Sequence, residues 1–388
     1  MPEILVIADD FTGAAEMGGI AHLFGISATI VTELSEPTVY PEDVVILDTN
    51  SRRLDPASAM GKVKAMLKYL NRSDFKLIYK KVDSVLRGPV ESEIKAIKTF
   101  TGADLAVLIP ANPSRGRIIR KGMYFIDDIP IDQTDFHNDP EYPRNDARVD
   151  RLISDASEIQ TMAKFDPSEV KNNIIVPDVY LPVHFTEIID NLSGKNFIPA
   201  GGADFFRALL EQKLKLFKSG DYSYHYPPGK THIILGSICE QSKHIITQMI
   251  NQGYTCFALP EEALKKQTVY VKWVSQINDA LYDGGKIIIA RPDKKIFDQE
   301  AIMNITSLIS KATLELLDYC TPEDELLIEG GETASTVFRY MGNTTFRVKE
   351  VITDGIVKLA LDHPVICITV KPGSYKWPER FLFNRANN

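Results

Sequence analysis

A chain of 388 residues is too long for one ordinary core and reads as two domains. With 44% apolar and 25% charged residues it belongs to neither the fibrous nor the disordered classes. The formal charge of -8 argues against a dedicated nucleic-acid binder, whose affinity needs excess Lys and Arg, but leaves small anionic ligands to local basic clusters.

Apolar runs of strand length alternate with helical patterns through the first third: Ile4 to Ala8, Ala28 to Thr32, Val44 to Leu47, Lys76 to Val82 and Asp104 to Ile109. Strands apolar on both faces and separated by helices predict a mainly parallel sheet. Gly25 stops the first helix, and Asp55-Pro56 reads as the N-cap and first turn of a helix over Ala57 to Leu70. Between Asp127 and Asp150 the pattern gives way to Asp, Pro and Asn, a stretch long enough for a lid or a packed surface excursion. Strand and helix signals resume at Ile174 to Pro177 and from Asp204 to Leu216.

The Pro-, Gly- and Tyr-rich stretch Ser219 to Lys230 breaks every period and marks the linker, with domains expected at 1–222 and 223–388. Beyond it, strand-like runs at His232 to Leu235, Lys286 to Ala290, Glu325 to Ile328 and Val365 to Val370 describe a second, smaller α/β unit. The expected fold class is thus α/β, two domains each with a mainly parallel sheet flanked by helices, and an active site in the cleft between them. Cys239, Cys256, Cys320 and Cys367 fall singly, which removes redox-motif and zinc-ribbon readings. No basic leader precedes a long apolar segment, and no apolar run approaches the roughly 20 residues a bilayer requires, so a cytoplasmic protein without membrane or nucleic-acid partners is expected.

Three strands run directly into turns that open helices: Asp9-Asp10 after the first, Gly236-Ser237 after the run from His232, and Gly330-Gly331-Glu332-Thr333 after the run from Glu325. Such a helix points unpaired N–H groups and its positive dipole end beyond the sheet edge, where ligands bind in open α/β sheets. Two carboxylates at the first turn suit hydroxyls or metal; Asp9 as a mere helix cap beside an exposed Asp10 is the plain alternative. Glycine and hydroxyl side chains at the other two turns suit phosphate, with Lys371-Pro372-Gly373-Ser374 as a third loop. Neither glycine turn matches a Walker A or dinucleotide fingerprint. Lys81, Asp83, Ser84 and Arg87 close the fourth strand, Asp48 to Arg52 the third, and Asn112 to Arg117 the fifth. Lys and Arg there offer charge-assisted bonds to a carboxylate, and Asp and Ser address hydroxyls. Their coincidence at one sheet edge describes a pocket for a small polyhydroxylated acid. His137, between Asp135 and Asp139, reads as a solvated loop histidine rather than a metal ligand, and no metal site is expected.

In order along the chain, Ala8-Asp-Asp-Phe-Thr-Gly-Ala14, Asp48-Thr-Asn-Ser-Arg52, Lys81-Val-Asp-Ser-Val-Leu-Arg-Gly88, Pro110 to Arg117, Ala200-Gly-Gly202, Gly236-Ser237, Gly330-Gly-Glu-Thr-Ala334 and Lys371-Pro-Gly-Ser374 resemble the motifs of the four-carbon acid sugar kinases. The resemblance implies ATP-dependent phosphorylation of the terminal hydroxyl of a tetronate or oxo-tetronate, with the acid in the N-terminal domain and ATP in the C-terminal one. It places Asp10, Arg52, Lys81, Asp83, Ser84 and Arg87 on the acid sugar, and Ser237, Gly330, Gly331, Glu332, Thr333 and Gly373 on the nucleotide. The chain departs from the family pattern at Val85, Glu332, Asn112 and in the loop ending at Trp377.

On that footing Arg52, Lys81 and Arg87 anchor the acid, Asp10 or Asp83 orients and deprotonates the hydroxyl, and Mg2+ arrives with ATP. A homodimer is the expected assembly. The alternatives are a non-catalytic sugar-acid binding protein and a receiver-like phosphorylation switch built on Asp9, Asp10, Asp48 and Lys371.

Overall fold

The computed structural model describes residues 3–139, 142–153, 158–170, 173–236, 240–292, 298–361, 363–373 and 375–378. The chain divides into two compact units, Met1–Gly220 and Asp221–Asn388, and the division falls at the start of the Pro-, Gly- and Tyr-rich stretch.

In the first unit the strands are β1 (Ile4–Ala8), β2 (Ala28–Val31), β3 (Val44–Asp48), β4 (Leu77–Lys81), β5 (Leu105–Ile109), β6 (Arg117–Arg120), β7 (Met123–Ile126), β8 (Ile129–Pro130), β9 (Ile159–Met162), β10 (Ile174–Pro177) and β11 (Phe197–Gly201). The helices are α1 (Phe11–Leu23), α2 (Pro56–Leu67), α3 (Val90–Thr101), α4 (Val149–Leu152), α5 (Val183–Asn191) and α6 (Ala203–Gln212). The main sheet runs β2-β3-β1-β4-β11-β5-β10-β9, and its strands pair in parallel. β1 to β4 are buried along their whole length, the state their unbroken Ile, Val and Leu runs require. Asp55 caps α2 with Pro56 as its first residue. The expected helix over residues 57–70 ends earlier, at Leu67, and the one over 204–216 ends at Gln212.

The second unit holds β12 (Thr231–Leu235), β13 (Tyr254–Ala258), β14 (Lys286–Ala290), β15 (Glu325–Glu329), β16 (Thr345–Thr353), β17 (Ile356–Ala360) and β18 (Cys367–Lys371), with α7 (Glu240–Ile250), α8 (Gln267–Tyr282), α9 (Gln299–Leu317) and α10 (Gly331–Met341). The order is β13-β14-β12-β15-β18-β17-β16, parallel from β13 to β18, then antiparallel. Ile233, Leu235, Ile288 and Leu327 on its strands pack with Ile245, Met249 and Trp377 in one core cluster.

Sequence reading missed β9, β11, β13, the meander β6-β7-β8 and the hairpin β16-β17. The hairpin had a local signal: Asp354-Gly355 joins two paired strands, and Gly355 sits at φ +77°. β16 mixes polar and apolar residues because part of its surface stays open, and β17 is a short run interrupted by Lys358, so the search for continuous apolar runs passed over them.

Candidate active site

The parallel register of β3, β1 and β4 aligns Asp48 with Ala8 and Ala8 with Lys81, so the loops that follow converge at one sheet edge. Asp10, not Asp9, caps α1. Its Oδ1 accepts from Gly13 N at 2.9 Å and from Arg52 Nη2 at 2.7 Å, and its Oδ2 from Thr12 Oγ1 at 2.6 Å and Arg52 Nη1 at 2.9 Å. Gly13 is required: a Cβ there would lie 2.7 Å from Asp10 Oδ1. Asp9, buried below, takes Arg52 Nε at 2.6 Å and Nη2 at 3.2 Å. Arg52 therefore locks two carboxylates that would otherwise repel each other, and its bidentate geometry suits that task.

Asp83 holds Arg87 in a fork, with Nε 2.9 Å from Oδ2 and Nη2 3.0 Å from Oδ1. Its Oδ2 also takes the backbone N–H groups of Val85 and Arg87. Leu86 stands at φ +62°, a conformation costly for a branched side chain, and Gly88 at φ +88° lets the loop press on the Arg52 backbone. Lys81 Nζ lies 3.4 Å from Glu16 and donates to Val82 O. Lys80 lies fully buried 3.0 Å from Glu93, to which Ser51 also donates. Arg117 donates to the Ser84 hydroxyl.

Burial alone would raise the Asp9 carboxyl, but Arg52 and Lys80 more than offset it and hold it below the usual range. At Asp83 burial pulls the same way and is overwhelmed by Arg87 and Arg52, which keep the carboxyl ionised far below that range. Asp48 goes the other way: burial, reinforced by the charges of Asp10 and Asp9, lifts its carboxyl to about 7 despite the Asn50 amide that donates to it.

The Asp127 to Asp150 stretch, expected as a lid or surface excursion, folds over this cluster. Tyr142 donates through its hydroxyl to Arg52 O at 2.6 Å, and Asp139 Oδ2 lies 3.4 Å from Arg87 Nη1. Arg144 is buried beneath and donates through Nη1 to Leu152 O at 2.8 Å. His137 is exposed on a short 3-10 turn. Among the described residues no group of three or more His, Cys, Asp or Glu could hold a metal ion.

In the second unit β12, β15 and β18 lie side by side, so their turns line up at the carboxyl edge. Gly236 N donates to Glu329 O at 2.9 Å and Gly330 N to Lys371 O at 2.8 Å. Gly330 sits at φ +105°, and a Cβ on Gly236 would fall 2.0 Å from Thr333 Oγ1, so both turns require glycine. Among the described residues no side chain caps α10, whose first-turn N–H groups are directed past the sheet edge. Thr333 is buried, Glu332 exposed, and Gly373 half-buried just after β18; Ser237 lies outside the described residues. Arg291, which sequence reading missed, follows β14 and places Nη1 3.3 Å from Gly236 O. Trp377 Nε1 donates to Glu329 Oε2 at 2.7 Å, beside Lys371 Nζ at 3.1 Å, so the divergent last loop is anchored on a buried ion pair. Lys371 itself is fully buried within the second unit.

A family model described as a sugar-binding N-terminal domain matches residues 4–209. The chain belongs to that family. Among its relatives, a D-threonate kinase of Bordetella bronchiseptica is 33% identical over 45% of this chain and 44% of its own length. A D-erythronate kinase of Heliobacterium modesticaldum is 26% identical over 66% of this chain and 62% of its own. A 3-oxo-tetronate kinase of Haemophilus influenzae is 23% identical over 95% of this chain and 96% of its own. The match thus spans less than half of the Bordetella protein and nearly all of the Haemophilus one. Solved proteins of Salmonella typhimurium LT2 (TM-score 0.77, 18% identity, 97% of this chain and 96% of that one) and Haemophilus influenzae (TM-score 0.73, 20% identity, 97% and 98%) share the fold.

The whole unit 1 cluster lies within the matched sugar-binding segment. Of the residues expected on the acid sugar, Asp10, Arg52, Lys81, Asp83, Ser84 and Arg87 are brought to one edge by the β3-β1-β4 register. Those expected on the nucleotide, apart from Ser237, gather at the β12, β15 and β18 turns of the second unit. Arg117, expected in the loop after the fifth strand, opens β6, whereas Tyr142 and Arg144 were missed because they come from irregular chain, where no period points to a face.

Proposed function

We propose that this protein is an ATP-dependent kinase that phosphorylates the terminal hydroxyl of a four-carbon acid sugar, a tetronate or 3-oxo-tetronate, in the cytoplasm. The observation that carries the reading is the Asp9-Asp10-Arg52-Asp83-Arg87 cluster at the carboxyl edge of the sugar-binding segment. The names of the relatives, kinases for D-threonate, D-erythronate and 3-oxo-tetronate, support the reaction class.

Phosphoryl transfer passes through a loose transition state and asks the protein for alignment and charge neutralisation more than for early proton removal. A carboxylate held far below its usual range is a weak proton acceptor but a good hydrogen-bond acceptor, and that describes Asp83. Among the described residues its Oδ1 accepts one hydrogen bond, from Arg87 Nη2, with Arg52 Nη2 3.9 Å away, whereas both oxygens of Asp10 are already doubly engaged. Asp83 is accordingly the group that orients the reacting hydroxyl, with Asp10 and Asp9 fixing the position of Arg52. Gly236, Gly330, Gly331, Thr333, Gly373 and Arg291 fit a triphosphate, as an open glycine edge with an uncapped helix start and a guanidinium beside it. Mg2+ accompanies the nucleotide and neutralises its phosphate charge. Lone cysteines, with Cys256, Cys320 and Cys367 free, fit a reducing compartment, and no described helix is long and apolar enough to cross a membrane.

Incubation with ATP-Mg2+ and a panel of D-threonate, D-erythronate and 3-oxo-tetronates, read as ADP release and phosphorylated acid, tests the reading. At least one acid is expected to raise ADP release far above the acid-free rate. Folded protein that phosphorylates none of them would overturn the assignment.

A further inference from the structure

Five basic side chains of the unit 1 cluster have acidic partners, and Arg117 is taken up by the Ser84 hydroxyl and the Phe136 ring. Arg52 is taken by Asp9 and Asp10, Arg87 by Asp83 and Asp139, Lys81 and Arg115 by Glu16, and Lys80 by Glu93. A substrate carboxylate arriving there would meet cations already neutralised by more than their own number of carboxylates.

Arg144 is the exception. It is only 6% exposed, its side chain makes one hydrogen bond, from Nη1 to Leu152 O, and it stands 5.9 Å from the Tyr142 ring. Its Nε and Nη2 are buried without an acceptor, and among the described residues no carboxylate forms an ion pair with it. A guanidinium edge carrying two parallel N–H donors is shaped to receive two oxygens at once, and leaving it bare in a buried site is costly. Its place supplies the second observation. Its backbone N–H donates to Phe136 O, and Phe136 packs 5.8 Å over the Arg117 guanidinium that donates to Ser84. The neighbouring Tyr142 hydroxyl bonds Arg52 O, and Tyr142 N bonds the Asp139 carboxylate that faces Arg87. The segment that carries Arg144 is therefore tied at several points to the loops that hold Asp83, Ser84 and Arg87.

We propose that Arg144 receives the substrate's carboxylate through Nε and Nη2, which makes it the residue that selects an acid over a neutral polyol. This rests on the acid-sugar kinase reading and assigns the charged end of the substrate within it. Arg52 and Arg87 then hold the catalytic carboxylates in place, and the hydroxyl chain of the substrate runs toward Asp83.

The test is calorimetric binding of the acid that the wild-type enzyme phosphorylates, of the uncharged tetritol of the same stereochemistry, and of ATP-Mg2+, to wild type, Arg144→Met and Arg144→Lys. Met keeps the length and packing of the side chain; Lys keeps the charge but not the fork. In Arg144→Met the acid is expected to bind roughly 10- to 100-fold more weakly, the loss of charge-assisted hydrogen bonds, while the tetritol and ATP bind as before. Arg144→Lys should fall between the two. Equal weakening of acid and tetritol would make Arg144 a structural support, unchanged acid binding would leave its donors to water, and weakening of ATP alone would make it a phosphate ligand; each overturns the proposal. If wild type binds no tetronate at all, it is the kinase reading that fails.

Discussion

Asp48 and Asp83 lie at one sheet edge with opposite electrostatic fates. Asp83 has its carboxyl forked by Arg87 and remains ionised, whereas Asp48 is buried with like charges nearby and titrates at about 7. In the unfolded chain Asp48 titrates near its ordinary 3.8, so between about pH 4 and 7 the folded state keeps a proton that the unfolded state has released. Its contribution to stability is therefore full below pH 4 and is lost as the pH rises through 7. Asp48→Asn keeps an acceptor for the Asn50 amide and removes the titration. Its unfolding free energy in urea should fall less than that of wild type between pH 5 and pH 8, by a difference of at most roughly 2.7 kcal/mol, about two pKa units; equal slopes would show that Asp48 ionises normally. Asp83→Asn should lower kcat by at least about tenfold while leaving the ATP dissociation constant unchanged, as expected for a group that orients the hydroxyl. Asp10→Asn should lower kcat as well, together with stability, because it weakens the α1 cap. Wild-type turnover in both variants would remove these roles.

Strand-to-helix turns carry the proposed chemistry, and they were the most legible elements in the sequence. Asp10, Gly236 and Gly330 each follow a continuous apolar run, so the end of the run marked the sheet edge before any contact was known. What the local pattern could not show was which carboxylate caps α1, since Asp9 and Asp10 are chemically alike and only the fold decides that Asp9 goes under the sheet edge. Arg144 and Arg291 were invisible for a different reason: their placement depends on contacts across long sequence separations, the neighbouring Tyr142 with Arg52 and Arg291 with Gly236. The β16-β17 hairpin was readable from Asp354-Gly355 and was missed only because the search favoured buried parallel strands. At this scale Gly236→Ala is decisive, because its methyl group would meet Thr333 Oγ1 at 2.0 Å and Glu329 O at 2.8 Å. Overpacking of that kind should lower stability by about 1–3 kcal/mol. In calorimetric titrations ATP affinity should drop while tetronate binding persists; retained ATP affinity would place the nucleotide elsewhere.

For the molecule as a whole, the division at Gly220 separates an edge rich in paired charges from an edge rich in glycine. The first suits a hydroxy-carboxylate and the second a triphosphate, and this assignment of one ligand to each unit is what the proposed reaction depends on. Each ligand should raise the melting temperature separately, since binding to the folded state alone stabilises by mass action, about 2.7 kcal/mol at a hundredfold excess over Kd. The most direct measurement is a crystal structure with a non-hydrolysable ATP analogue and the phosphorylatable tetronate bound together. The triphosphate should lie against Gly236, Gly330 and Gly373, and the acid against Asp83, Arg87 and Arg144. A nucleotide seated on Asp10 and Arg87, or Gly236 and Gly330 closed off from any ligand in the complex, would contradict it.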